Sequence, residues 1–94
     1  MIAPAPLPLD RATFVVRMLA WINQRLVAPG VVVRAATPLF ASGIINSIKV
    51  LDLIAWTERA IGRQIADQDI RLDNFHSVQR IADVFAQETS HASV

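Results

Sequence analysis

Apolar side chains recur every three or four residues in three separate stretches of this chain, and no other feature constrains its fold as strongly. Such spacing places apolar groups along one side of an α-helix. The regular alternation of apolar and polar residues that would mark a pair of half-buried strands is lacking. We therefore predict an all-α fold built from three such helices and the segments between them.

The first helix is predicted to begin at Asp10, which follows Pro8 and belongs to the residue types that favour the N-cap position. It is predicted to end at Pro29-Gly30, where the chain can no longer continue a helix. Its apolar stripe comprises Phe14, Val15, Met18, Ile22 and Leu26.

The second helix is predicted to begin at Asn46-Ser47, because Asn is a strong N-cap type, and to end at Gly62. Placing its residues at about 100° intervals defines one core-facing arc. That arc comprises Val50, Leu53, Ile54, Thr57 and Ile61.

The last helix is predicted to begin at Ser77, another N-cap type, with Phe75 packing inward just before it. Residues 67–71 are expected to form one short turn of helix. The apolar stripe of the last helix comprises Val78, Ile81, Ala82 and Phe85.

The segment 31–46 between the first two helices is long and apolar. A strand over residues 31–34 would have no partner, so we expect this loop to lie over the bundle instead. Leu39 or Phe40 is then expected to close one end of the core. Loops of this length in small domains usually serve function.

The length of 94 residues predicts one domain. We expect a domain over residues 9–87 with flexible tails at 1–8 and 88–94. The absence of cysteine excludes a disulfide framework and thiolate metal sites. A net charge of +1 from scattered basic residues argues against a nucleic-acid partner. No segment resembles a membrane anchor or signal peptide, so a cytoplasmic monomer is expected.

The candidates for catalysis are few, and none forms a recognised site. His76 and His91 are expected to be solvated loop and tail residues without metal-ligand spacing. Asp67, Asp69 and Asp73 lack the glycine and terminal glutamate of a calcium loop. No acid–base pair or activated nucleophile can be assembled, so we do not expect an enzyme.

Ser47 differs from these candidates because of its predicted place at a helix start, directly after an Asn cap. Free backbone N–H groups and the positive end of the helix dipole are expected to face solvent there. Such a position suits a phosphate ester on the hydroxyl. Most serines at helix starts only cap, so the surrounding residues have to decide.

Those residues occur in a characteristic order: Pro38-Leu39-Phe40, Gly43, Asn46-Ser47-Ile48, Leu51-Asp52-Leu53-Ile54, Glu58, Ile65-Ala66-Asp67 and Asp73-Asn74-Phe75-His76-Ser77-Val78 with Ile81-Ala82. From about Leu39 to Phe85 the chain resembles the acyl and peptidyl carrier protein family. The family has an Asp-Ser-Leu/Met/Ile motif at the head of its second helix, a following Glu, and an aromatic-x-Ser/Thr-Val step at its last helix. The first helix agrees by length and stripe only.

The resemblance implies a bundle of four helices with a short third helix. It also implies that Ser47 receives phosphopantetheine from coenzyme A through a phosphopantetheinyl transferase. The thiol of the arm would then hold a cargo as a thioester. The implied partners are that transferase, an acyl- or aminoacyl-activating ligase, and downstream acceptor or transferase enzymes.

The chain departs from the family pattern at three places. Asn46 replaces the usual Asp, which keeps the cap but loses the charge. Gly43 stands four residues before Ser47, as in carriers of the D-alanyl type. Fatty-acid carriers place this glycine three residues before the serine. The outward face of helix two is mixed rather than acidic. The predicted partner-docking residues are Asn46, Ile48, Lys49, Asp52, Ala55, Trp56 and Arg59.

Two questions stay open at this level. Trp56 is either an interface anchor or a residue that folds against the long loop and completes the core. The function is predicted to be a discrete carrier of an amino acid or a specialised acyl group. The alternatives are a fatty-acid or lipid-synthesis carrier and an unmodified carrier-like module for protein interaction.

Overall fold

The computed structural model describes residues 9–86, and within this range the protein is all-helical with no strand. Its α-helices are α1 (Arg11–Trp21), α2 (Lys49–Ile61) and α3 (Val78–Phe85). The predicted all-α class is confirmed. The predictions for the tails at 1–8 and 88–94, for Gln87 and for His91 lie outside the described residues.

Helix α1 begins as predicted, because Asp10 is its N-cap and accepts a hydrogen bond from the Thr13 N–H at 2.7 Å. Its end differs from the prediction. A π-helical segment, Ile22–Leu26, follows α1, and Val27 is already extended at φ −118° and ψ 158°. The helical conformation therefore stops before Pro29. The predicted stripe is buried at Phe14, Met18, Ile22 and Leu26 and half-buried at Val15.

Helix α2 ends at the predicted residue, and helix α3 begins at the predicted residue. Gly62 closes α2 in the left-handed conformation at φ 75°, which glycine adopts without steric cost. Ser77 caps α3, and its Oγ accepts from the Arg80 N–H at 3.1 Å. Both apolar stripes face the core, with Val50 and Ile54 half-buried against it. The following residues of the two stripes are buried: Leu53, Thr57, Ile61, Val78, Ile81, Ala82 and Phe85.

Two short 3₁₀ helices, Asp67–Asp69 and Leu72–Phe75, connect α2 to α3. The single turn predicted over residues 67–71 is therefore divided and extended. Phe75 is buried, as predicted, with its ring centroid 5.3 Å from that of Phe85. The Glu58 carboxylate accepts from the Ile65 N–H at 2.9 Å and so ties this connection back to α2.

The long loop is attached to the first helical region and to the segment just before α3. The Asn23 side chain bonds both the N–H and the carbonyl of Val33, at 2.7 and 3.0 Å. The Leu39 N–H donates to the His76 carbonyl at 2.8 Å, just before α3. Leu39 is fully buried and Phe40 is half-buried against the core, so Leu39 closes the core end as expected.

Candidate functional site at the head of helix α2

The chain leaves the core at Ile45 and reaches the surface at the next residue. Ile45 is buried, and its N–H donates to the Leu39 carbonyl at 2.9 Å. Asn46, Ser47 and Ile48 are all exposed. A firmly anchored residue thus immediately precedes an exposed turn, which holds that turn in a defined place.

The Asn46 side chain caps the turn that leads into α2, although the helix was predicted to begin at Asn46-Ser47 and begins at Lys49. The Asn46 Oδ1 accepts from the N–H groups of Ile48 at 3.0 Å and Lys49 at 2.8 Å, while its carbonyl accepts from the Val50 N–H at 3.0 Å. The expectation of free N–H groups beside Ser47 is therefore wrong for Ile48 and Lys49. The Asn46 amide oxygen already satisfies both of them.

Ser47 lies inside this capping turn, two residues before the first residue of α2. Ser47 was predicted to be the first residue within the helix, but the helix begins two residues later, at Lys49. The Ser47 side chain is exposed, and among residues 9–86 it has no hydrogen-bond partner. The hydroxyl has no structural task in the described part of the chain, because Asn46 performs the capping.

Two large apolar side chains lie exposed beside Ser47. Ile48 is 74% exposed and Leu51 is 64% exposed. Ile48 was predicted on the outward face, whereas Leu51 was not assigned to either face from the periodicity. Its position one turn after Ser47 is the signal that could have identified it, since residues four apart share a helix face. Asp52 is exposed in the same first turn.

The Lys49 side chain extends from the head of α2 to the end of the first helical region. It is half-buried, and its Nζ donates to the Leu26 carbonyl at 2.7 Å, at the end of the π-helical segment. Lys49 thereby connects the head of α2 to the end of the first helical region. Its side chain is more constrained than the prediction of a docking residue implied.

An open groove of about 320 Å³ lies beside this connection, and the periodicity of the sequence gave no sign of it. The segment after the π-helix forms one wall, and the loop before Asn46 forms the other. The residues that line the groove are Val27, Ala28, Val31, Ser42, Gly43, Ile44 and Lys49.

The remaining predicted docking residues lie farther along α2. Arg59 is exposed in its last turn, and Ala55 is half-buried. Trp56 is also half-buried and packs against helix α1. Its ring stacks on Trp21 with centroids 5.6 Å apart and meets Phe14 edge-on at 5.4 Å. Trp56 therefore helps to join α2 to α1.

Other candidate chemistry does not gather elsewhere. His76 is exposed, and within residues 9–86 no group of three His, Cys, Asp or Glu side chains could hold a metal ion. No helix in this same range has both the length and the apolar character to cross a membrane. The head of α2 is thus the place where an exposed hydroxyl, an apolar surface and a groove adjoin.

Comparison with known proteins adds no family to this description. No protein-family model matches the chain, and no curated protein matches it.

Proposed function

We propose that this chain is a carrier protein, which holds an amino acid or a specialised acyl group as a thioester on a phosphopantetheine arm attached to Ser47. The observation that carries the proposal is that Asn46, and not Ser47, performs the capping in this turn. Asn46 satisfies the N–H groups of Ile48 and Lys49, which leaves the exposed Ser47 hydroxyl available for modification.

The arrangement of helices supports the carrier hypothesis. A carrier bundle has four helices with a short third helix. In such a bundle, helices α1, α2 and α3 would be the first, second and last members. The two 3₁₀ helices, Asp67–Asp69 and Leu72–Phe75, would then stand in place of the short third member.

Attachment of the arm would be a phosphoryl-type substitution with coenzyme A as donor. The Ser47 oxygen forms a bond to the phosphorus next to pantetheine, the diphosphate bond breaks, and the nucleotide half of coenzyme A leaves. The hydroxyl proton passes to a base of the phosphopantetheinyl transferase. The site can accept such a group, because the Ser47 side chain is exposed and Asn46 performs the capping.

The chain's own contribution is to present the modified residue and to bind partner enzymes. Ile45 and Leu39 anchor the turn in the core. Ile48 and Leu51 offer apolar contact area around Ser47, and Asp52 adds one charge. When attached, the arm supplies a thiol that holds the cargo as a thioester. The partners would be the transferase, an activating ligase and an acceptor enzyme.

A second candidate function is an unmodified module for protein interaction. The exposure of Ile48 and Leu51 favours it, since apolar groups on a helix face serve binding whether or not Ser47 is modified. A carrier for fatty-acid or lipid synthesis is the remaining alternative, and it differs only in its cargo and partners.

Incubation with coenzyme A and a broad-specificity transferase, followed by intact-mass measurement, tests the proposal. We expect wild type to gain the mass of one phosphopantetheine and Ser47→Ala to gain nothing. Ser42→Ala is the matched control, because Ser42 is also exposed and only four residues before Asn46. No gain on wild type, or an equal gain on Ser47→Ala, would contradict the proposal and favour the unmodified module.

The nature of the cargo is tested next on the arm-bearing protein. Charging by an amino-acid-activating ligase, without charging by a fatty-acyl ligase, is the expected result. The reverse result would support the fatty-acid alternative.

A further inference from the structure

The groove beside the head of α2 combines apolar walls with one cationic group. Val27, Val31 and Ile44 contribute alkyl side chains, and Lys49 contributes an ammonium. Its volume of about 320 Å³ lies near the lower end of the range for small-molecule sites, about 300–1,000 Å³. The groove therefore suits a small, partly apolar ligand that carries a negative charge.

Lys49 is free to bind such a charge. An ammonium has three donors, and the bond to the Leu26 carbonyl uses one of them. The salt bridges within residues 9–86 are Arg11–Asp83 and Arg80–Asp73, so no carboxylate of this range neutralises Lys49. Its half-buried position makes a charge interaction stronger than it would be in bulk water.

The capping turn makes this cation important for any phosphate on Ser47. An anion at a helix start is ordinarily bound by free N–H groups. Here Asn46 Oδ1 occupies those of Ile48 and Lys49. A phosphodiester on Ser47 would therefore gain from another positive partner, and Lys49 is the one cation among the residues that line the groove.

Hydrogen bonds hold both walls of the groove in place. The Val31 N–H donates to the Ala28 carbonyl at 3.1 Å. Two residues farther along, the Asn23 side chain forms hydrogen bonds with the N–H and the carbonyl of Val33. On the other wall the Gly43 N–H donates to the Phe40 carbonyl at 2.9 Å, with Gly43 at φ 80°. Because both walls are secured, the groove exists before any ligand arrives, which lowers the ordering cost of binding.

We propose that this groove seats the near half of the phosphopantetheine arm. The phosphodiester lies against the Lys49 ammonium, and the two methyl groups of the pantoyl unit pack on Val27, Val31 and Ile44. The inference rests on the proposed function, because the arm must be attached to Ser47. Its consequence is that the near half of the arm is held at the protein surface while the thiol end remains mobile.

Isotope-filtered NMR on arm-bearing protein tests this seat, with a ¹³C-labelled chain and an unlabelled arm. We expect nuclear Overhauser contacts from the pantoyl methyls to the methyls of Val27, Val31 and Ile44. Ala28→Phe should remove them by filling the groove, and Lys49→Met should weaken them by removing the charge. Ala20→Phe on the exposed side of α1 is the matched control and should retain them.

Intact mass separates the two possible failures. If wild type takes up the arm but shows no contact to the three side chains, the groove proposal is overturned and the carrier function stands. The groove proposal is equally overturned if Ala28→Phe keeps all contacts. If wild type takes up no arm, both proposals fall. Signals of the Met18 methyl, which lies in the core, report whether each variant is folded.

Discussion

Ser47 and Ser77 both stand at the head of a helix, and the structure gives them opposite tasks. Ser77 is only 4% exposed, and its Oγ accepts from the Arg80 N–H as the cap of α3. Ser47 is exposed, and the side chain of its neighbour Asn46 caps α2 instead. The comparison teaches that a serine hydroxyl is available for chemistry where another residue has taken over the capping.

The surroundings of the two serines differ in the same direction. Ser77 follows a segment with a buried Phe75 and precedes the fully buried Val78. Ser47 precedes Ile48, which is 74% exposed. A modifying enzyme could reach Ser47 without any unfolding, whereas access to Ser77 would require the end of the core to open.

The largest expected effect is a difference between Ser47→Ala and Ser77→Ala in phosphopantetheine addition and in the free energy of unfolding. Ser47→Ala should abolish phosphopantetheine addition and change the free energy of unfolding by less than about 0.5 kcal/mol, as for an exposed residue without partners. Ser77→Ala should keep the addition and lose about 1 kcal/mol of stability with its cap. Intact mass and urea denaturation measure the two quantities. A large loss of stability in Ser47→Ala would abolish the contrast.

Leu39 connects the two helix heads, so its truncation should damage both. Its N–H donates to the His76 carbonyl, and its own carbonyl accepts from the Ile45 N–H. Because its side chain is fully buried, Leu39→Ala should lower the free energy of unfolding by about 2–5 kcal/mol. The control Leu51→Ala removes an exposed leucine and should cost less than about 0.5 kcal/mol. Equal losses in chemical denaturation would refute this role of Leu39.

Asn46 can be tested as the residue that releases Ser47 from capping. Asn46→Ala should cost about 1 kcal/mol, since it removes the acceptor for two N–H groups. Asn46→Asp is the matched control and should keep the stability within about 0.5 kcal/mol, because Asp caps equally well. Urea denaturation of both variants measures the difference. If Asn46→Ala were as stable as wild type, the capping role of Asn46 would be refuted.

The head of helix α1 is capped by the carboxylate of Asp10. The pH dependence of stability from this cap should be the smallest of the expected effects. Hydrogen bonds from the Thr13 hydroxyl and the Thr13 N–H lower the pKa of Asp10 from its ordinary value of 3.8. A lowered folded-state pKa means that this stabilisation is complete above pH 3.8 and is lost as the pH falls through the folded value. Thermal unfolding of Asp10→Asn should therefore depend less on pH than wild type below about pH 4. The caps of α2 and α3 carry no carboxylate and should show no such dependence.

Much of the fold follows from residues close together in the chain. The caps at Asp10, Asn46 and Ser77 were predictable because each bonds a backbone N–H within three residues. The buried stripes were predictable because helical spacing alone places them on one side. The end of α2 at Gly62 required only a residue that tolerates a positive φ.

The differences from the prediction lie where distant segments meet. The first helical region ends in a π-helical turn, where Asn23 bonds the Leu19 carbonyl and reaches across to Val33. Trp56 packs on Phe14 and Trp21, although it was predicted either as an interface anchor or against the long loop. No local pattern indicates which of several partners a side chain will contact.

The same distinction holds for the candidate site. The sequence by itself determined the all-α class and the caps, because those depend on residue type, periodicity and short-range hydrogen bonds. Ser47 was chosen as the candidate from the order of residues that resembles the carrier family. Only the tertiary structure decided that Asn46 uses the N–H groups beside Ser47, that Lys49 reaches the Leu26 carbonyl, and that a groove lies between them and the loop. These features need the end of the first helical region, the long loop and the head of α2 in one place, which packing of Leu39, Ile45 and Val33 in the shared core brings about.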